Sequence, residues 1–137
     1  MQPTELKPRK EILTHAHLQT GEPVWIVRLQ RNLWRVSSIP VSTERVRYAD
    51  IVRLNISADG DRTIESVEKR GGYAAALIVM HKDGAFPSDF VSKLNGLVPW
   101  EKIDKTKIAV AVTEDTWKST CDHIEAHGLR AFRLAQA

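Results

Sequence analysis

The chain is short of cysteine and of long apolar segments, and both shortages limit what it can be. Its 137 residues include one cysteine, Cys121. A single thiol cannot form an intramolecular disulfide or a multi-cysteine zinc site, so a hydrophobic core must hold the fold. The longest apolar segment, residues 73–80, is far shorter than the roughly 20 residues of a membrane-spanning helix. We therefore predict no membrane span.

A secretion signal is also missing from the N-terminal sequence. Lys7, Arg9 and Lys10 precede histidines and a glutamine instead of an apolar run, which predicts a cytoplasmic protein. The composition, 42% hydrophobic and 27% charged, is typical of a globular domain and argues against disorder. A formal charge of +3 gives only a mild bias toward acidic partners.

The chain divides into three parts. The boundaries are indicated by proline and glycine residues and by changes in the spacing of apolar residues. Residues 1–22 show no regular pattern, and we predict a lead-in segment outside the core. Residues 23–70 form a β-rich lobe and residues 71–137 an α+β lobe. At this length the two lobes are expected to make one compact unit.

The β-rich lobe is predicted to contain two hairpins. The first joins residues 24–29 to 33–37 through a turn at Asn32, and the second joins residues 50–56 to 62–69. Ile64 and Val67 break strict alternation, which predicts a bulge or an edge strand. Trp25 and Trp34 are expected in the core. The lobe should be a small β-barrel or a curled antiparallel sheet.

In the second lobe the spacing of apolar residues predicts six elements in the order strand, helix, strand, strand, helix, strand. The continuous apolar run at 73–81 is typical of a strand buried on both faces. A short helix opens at Ser88, and a second helix begins at Glu114 and ends at Gly128. This order is the ferredoxin-like βαββαβ pattern. The predicted fold class is therefore α+β.

Histidines provide the only weak candidates for a metal site. His123 and His127 are four residues apart and share a helix face. Glu125 lies about 200° round the helix from His123, unlike the glutamate of a zinc protease. With no third ligand fixed by sequence, we predict solvated histidines and no metal site, and we interpret His15 and His17 in the same way.

No other pattern indicates catalysis. Cys121 shares a helix face with Trp117 and Ile124, where a thiol usually behaves as a small buried hydrophobe. The glycines form no phosphate-binding loop. We therefore predict that the protein is not an enzyme and needs no cofactor.

Arginines are dense in the first half and alternate with aromatic residues. Arg28, Arg35, Arg45, Arg47 and Arg53 are the candidate binding residues, with Trp25, Trp34 and Tyr48 between them. Such a mixture can contact phosphates and stack on bases. The alternative is a solvated surface around a tryptophan-containing core. The sequence leaves both interpretations open.

Several short motifs resemble an uncharacterised bacterial family, the domain of unknown function four-two-six-five. They are Glu22-Pro23-Val24-Trp25, residues 33–40, the Tyr48-Ala49-Asp50-Ile51-Val52 segment and residues 67–72. Gly71-Gly72 stands where the family pattern has a Ser-Gly pair. The resemblance spans nearly the whole chain, and it implies no known activity.

Three functional hypotheses follow. The first is a non-enzymatic cytoplasmic interaction protein, in its most concrete form an immunity protein that binds a cognate bacterial toxin. The second is a nucleic-acid-binding module that uses the β-rich lobe. The third is a small metal-binding protein or enzyme built on His123 and His127. An unpaired strand edge in either lobe would also suit a homodimer.

Overall fold

The computed structural model describes residues 12–80 and 86–133, and the chain divides into two units between Tyr73 and Ala74. The first unit contains β1 (Leu13–His17), β2 (Pro23–Gln30), β3 (Leu33–Val36), β4 (Ile51–Ile56) and β5 (Arg62–Lys69). The second contains β6 (Ala74–Val79), α1 (Ser88–Asn95), β7 (Trp100–Asp104), β8 (Lys107–Val112), α2 (Glu114–Ala126) and β9 (Arg130–Arg133). The predicted α+β class is confirmed.

In the first unit the strands neighbour one another in chain order. All the consecutive pairs are antiparallel. β1 also meets β5 through one parallel pair, His17 with Thr63. Alternate side chains point inward and form a core. Its buried members are Ala16, Leu18, Val24, Ile26, Trp34, Val36, Val46, Val52, Leu54 and Ile64.

The lead-in prediction is wrong for β1. Leu13–His17 pairs with β2 along its whole length, and Ala16 and Leu18 are buried in the core. The segment has no strong β pattern of its own, and cross-strand pairing with β2 fixes it. Residues 1–11 lie outside the described part of the chain.

The prediction of a bulge in β5 is confirmed. The register of β4 with β5 shifts twice, between the Ile51 and Val52 pairs and between the Arg53 and Leu54 pairs. Each shift leaves one extra residue on β5. Ile64 can therefore face the core and Val67 can pack against it, although they are three residues apart.

A buried carboxylate joins the β3–β4 loop to the end of β5. Asp50 is completely buried. Its Oδ1 accepts a hydrogen bond from the Gly71 amide at 2.9 Å, and its Oδ2 accepts from the Arg47 amide at 2.9 Å and from Arg70 Nη1 at 2.8 Å. A buried charge is tolerated when it is paired and hydrogen-bonded, as it is here.

Close backbone contact at this junction explains the glycine at position 71. A Cβ there would lie 2.6 Å from the carbonyl oxygen of Ala49, closer than van der Waals contact allows. Ala49 itself has a positive φ of 67°, which is uncommon for a residue with a side chain. Two of the motifs behind the family resemblance, at residues 48–52 and 67–72, therefore meet at one structural junction.

The second unit is a four-stranded sheet with neighbours in the order β7-β8-β6-β9, and every pair is antiparallel. Phe90 and Leu94 of α1 and Ile124 of α2 pack in one cluster with residues of β6 and β8. A capping box between Thr113 and Thr116 begins α2. The apolar run that predicted a strand buried on both faces is β6, in which Ala74, Ala75, Ala76 and Ile78 are buried.

Neither α1 nor α2, the helices within the described residues, has the length and apolar character that a membrane span requires.

We expect Asp50→Ala to lower the free energy of unfolding by about 3–5 kcal/mol, because it leaves Arg70 and two amides without their buried acceptor. Asp61→Ala is the matched control, since Asp61 is an exposed aspartate in the same unit and should change stability by less than about 0.5 kcal/mol. Urea denaturation measures both. Equal effects of the two substitutions would contradict the role assigned to Asp50.

Candidate functional site

Three aromatic side chains lie together on the outer surface of the first sheet. Val24 and Ile26 of β2 face the core, so Trp25 between them points outward. It is 47% exposed, and the prediction that Trp25 belongs to the core is wrong. His15 lies directly opposite it on β1. His17 is two residues along that strand and therefore on the same side.

The His15 ring contacts both the Trp25 ring and the His17 ring edge to face. The ring centroids of His15 and Trp25 are 5.2 Å apart with an interplanar angle of 60°, and those of His15 and His17 are 5.0 Å apart at 78°. Such geometry suits the quadrupoles of aromatic rings. Fixed strands hold the rings, which corrects the interpretation of His15 and His17 as members of an irregular lead-in segment.

Positive charge borders this surface. Arg35 of β3 lies opposite Val27, on the same side of the sheet as Trp25 and one pair further along. The strands β1, β2 and β3 contain no aspartate or glutamate. We call His15, His17, Trp25 and Arg35 the aromatic–histidine face.

The other predicted arginines lie elsewhere in the unit. Arg28 is at the β2–β3 hairpin, where its Nε donates to the Arg31 carbonyl at 3.0 Å and its guanidinium carbon is 5.9 Å from the Trp34 ring centroid. Arg53 on β4 pairs with Glu68 at 3.3 Å. Arg45 and Arg47 belong to the β3–β4 loop. The candidate arginines are therefore distributed over the strands and the loop.

His123 has a structural environment. It is 5% exposed, and the prediction that it is solvated is wrong. Its ring stacks on Phe90 with centroids 4.7 Å apart and planes 10° apart. Nε2 lies 2.9 Å from the Phe90 carbonyl oxygen, which can only accept, so Nε2 carries the proton.

His127 bridges the two helices of the second unit. Its Nδ1 lies 3.1 Å from the His123 carbonyl oxygen and its Nε2 lies 3.3 Å from Asp89 Oδ2. Both nitrogens therefore face acceptors, an arrangement that the doubly protonated imidazolium satisfies. The hydrogen bond from His127 lowers the pKa of Asp89 below its ordinary value. Among residues 12–80 and 86–133, no cluster of three or more His, Cys, Asp or Glu could hold a metal ion.

The thiol of Cys121 is only partly buried, less than predicted. It borders a cavity of about 420 Å³ on the second unit. The other lining residues are Ile124, Glu125, Gly128, Leu129, Arg130 and Ala131.

The aromatic–histidine face was missed at the sequence level, although its signal was present. The alternation of Val24 and Ile26 places Trp25 on the opposite side of β2. The usual burial of tryptophan outweighed that alternation in the prediction. For His15 and His17, no signal in the isolated segment indicated a strand.

Comparison with known proteins shows a solved structure with a similar fold. No protein-family model and no curated protein sequence matches the chain. A crystal structure of a hypothetical protein from Neisseria gonorrhoeae is similar, with a TM-score of 0.55 and 13% sequence identity over 91% of this chain and 93% of that one. At this identity the likeness concerns the fold alone. The resemblance to the domain of unknown function four-two-six-five stays a prediction.

The two tryptophans of the first unit should differ sharply in their contribution to stability. Trp34 is 8% exposed, and Trp34→Ala should cost about 3–5 kcal/mol. Trp25→Ala should cost no more than about 2 kcal/mol, because half of its surface is already in water. Urea denaturation compares them, and a loss for Trp25→Ala as large as for Trp34→Ala would contradict its outward placement.

Removing the N–H donors of His127 should raise the pKa of Asp89 toward the ordinary aspartate value. His127→Phe keeps a ring beside Phe90 and loses both donors. A carboxyl-carbon NMR titration gives the result. Asp104 is the control, because its lowered pKa comes first from the Thr106 amide and should not change.

Asp89 makes the stability of the fold depend on pH. Since its pKa is depressed in the folded state, its contribution to stability is present above the unfolded-state pKa of about 3.9. That contribution is lost as the pH falls through the folded-state pKa. An unchanged Asp89 pKa in His127→Phe would contradict the assigned cause.

Proposed function

We propose that the protein is a non-enzymatic protein-interaction module that contacts its partner through the aromatic–histidine face. The observation that carries this proposal is the half-exposed Trp25 on the outside of the first sheet. Burying the rest of that indole in a partner would gain apolar contact that the isolated chain leaves in water. Tryptophan and arginine are also the residue types most enriched among binding hot spots.

The charge of the face favours an acidic partner. Arg35 lies on the same side of the sheet as Trp25, one pair further along, and no carboxylate lies on the three strands that present the face. Positive potential on one side and negative potential on the other accelerates association and disfavours wrong partners. The partner surface should therefore combine an apolar pocket for Trp25 with aspartate or glutamate side chains around it.

An immunity protein that neutralises a cognate bacterial toxin is the specific form of this proposal. Such a role needs a rigid surface and no catalytic group. β1, β2 and β3 supply a fixed framework for the four side chains of the face. A cytoplasmic location and the family resemblance remain parts of the same proposal.

Binding of nucleic acid is the alternative. The outward rings and Arg35 could stack on bases and contact phosphate. Arg28 and Arg53 are held at other positions by Arg31 and Glu68, which favours the protein partner. A metal-binding protein or enzyme built on His123 and His127 is less supported, because a metal would have to displace the acceptors that Nε2 of each ring contacts.

We also propose finer descriptions of the two units. The meeting of β1 with β5 supports a small barrel or curled sheet for the first. The strand order β7-β8-β6-β9 with two intervening helices supports a ferredoxin-like arrangement for the second. The edges of that sheet, β7 and β9, could pair two copies in a homodimer.

The test is a pull-down of the tagged full chain from extract of its source cells, with and without nuclease, followed by mass spectrometry. We expect one stoichiometric protein that survives nuclease. Trp25→Ala should weaken its binding roughly 30-fold or more, the loss typical of a hot-spot residue. Phe132→Ala is the matched control, because Phe132 is 49% exposed on the second unit and should bind as the natural chain does.

Three other results would count against the proposal. Recovery that nuclease abolishes would favour the nucleic-acid alternative. Equal binding by the natural chain and by folded Trp25→Ala would remove the face from the interaction. Loss of binding in Phe132→Ala alone would move the contact surface to the second sheet.

A further inference from the structure

The first unit contains a groove that is separate from the aromatic–histidine face. Its volume is about 550 Å³, within the usual range for small-molecule sites. It lies where the β1–β2 turn, the β3–β4 loop and β5 approach one another, with Arg70 directly after β5.

The floor of the groove is apolar. Leu18, Val46 and Ile64 are 3%, 9% and 3% exposed, and Val67 packs against the same core. A ligand that only formed hydrogen bonds would gain little from such a floor. A hydrocarbon or aromatic body placed there would remove its own apolar surface from water against this floor.

Hydrogen bonds fix one wall of the groove. The Glu22 carboxylate accepts from the amides of Val41 and Ser42, and the hydroxyls of Thr20 and Ser42 lie 2.6 Å apart. These bonds join the β1–β2 turn to the loop that carries Arg45. The wall is therefore ordered before any ligand arrives, which lowers the entropic cost of binding.

Two guanidinium groups lie at the polar rim. Arg70 is held by Asp50 through Nη1, yet its side chain is 48% exposed and offers its remaining N–H groups. The Arg45 side chain is exposed, and no residue in the described part of the chain pairs with its guanidinium. The opposing charge on the rim is Glu65, which is also exposed.

We propose that this groove binds an organic carboxylate whose apolar body covers the floor and whose carboxylate contacts Arg45 and Arg70. Guanidinium groups bind carboxylates with strong, directional hydrogen bonds. The apolar floor favours such a ligand over inorganic phosphate or sulfate. Glu65 would repel a carboxylate, so the charged end of the ligand should approach the arginines and not Glu65.

The same chemistry has two sources, a free small acid and the carboxyl terminus of a peptide chain. Two pairs of probes distinguish them. The first is 3-phenylpropionate with 3-phenylpropionamide. The second is acetyl-Ala-Ala-Leu with a free carboxylate and the same peptide with a C-terminal amide. Each pair differs only in the charged group.

Amide NMR titration of the full chain up to about 10 mM probe measures binding. We expect at least one acid to cause saturable shifts of the Arg45, Val46 and Ser66 amides. The matching amide should bind at least 10-fold more weakly, because it lacks the charge that the arginines contact. Saturation by the small acid or by the free peptide identifies which source fits the site.

Arg45→Met keeps an unbranched side chain and removes the charge, and it should weaken acid binding roughly 10-fold. Arg53→Met is the control, since Arg53 faces Glu68 and does not line the groove. The proposal is overturned if no acid gives saturable shifts, if shifts occur away from the groove, if the amides bind equally well, or if Arg45→Met binds as the natural chain does. Because the face and the groove use different residues, failure of one proposal leaves the other intact.

Discussion

The hydrogen bonds of the buried Asp50 carboxylate connect the parts of the first unit that are far apart in sequence. An aspartate removed from water is costly unless donors replace the lost hydration. Two backbone amides and Arg70 supply those donors here. The bond geometry fixes the β3–β4 loop against the end of β5, and that close approach excludes any side chain at position 71. Arg70 is held at the rim of the groove by the same carboxylate.

The sheet of the first unit presents two surfaces of different chemistry. The aromatic–histidine face uses the outward residues of regular strands, where the pleat alone sets the direction of each side chain. The groove depends on turns and loops, which hydrogen bonds and the Asp50 junction hold in place. The bulges of β5 contribute as well, because they leave Glu65 and Glu68 outside the regular alternation. Glu68 pairs with Arg53, whereas Glu65 lies at the groove.

The histidines of the described chain serve different purposes in the two units. His15 contacts both Trp25 and His17 on an open surface. His123 is buried against Phe90 as part of the packing between α1 and α2, and His127 uses both ring nitrogens to connect those helices. His123 and His127, four residues apart, are thus a structural pair, because their rings face acceptor oxygens of the protein.

The sequence by itself determined the α+β class, the positions of both helices and the strands from β2 onward, because period and turn chemistry are local properties. Only the tertiary structure decided that Leu13–His17 is a strand, since its partner is another segment. The outward Trp25 and the buried His123 were also decided there, because exposure depends on what packs against a residue. Asp50 shows the same limit. Its three donors are brought to it by the fold, and no local pattern in the sequence places Gly71 and Arg70 beside it.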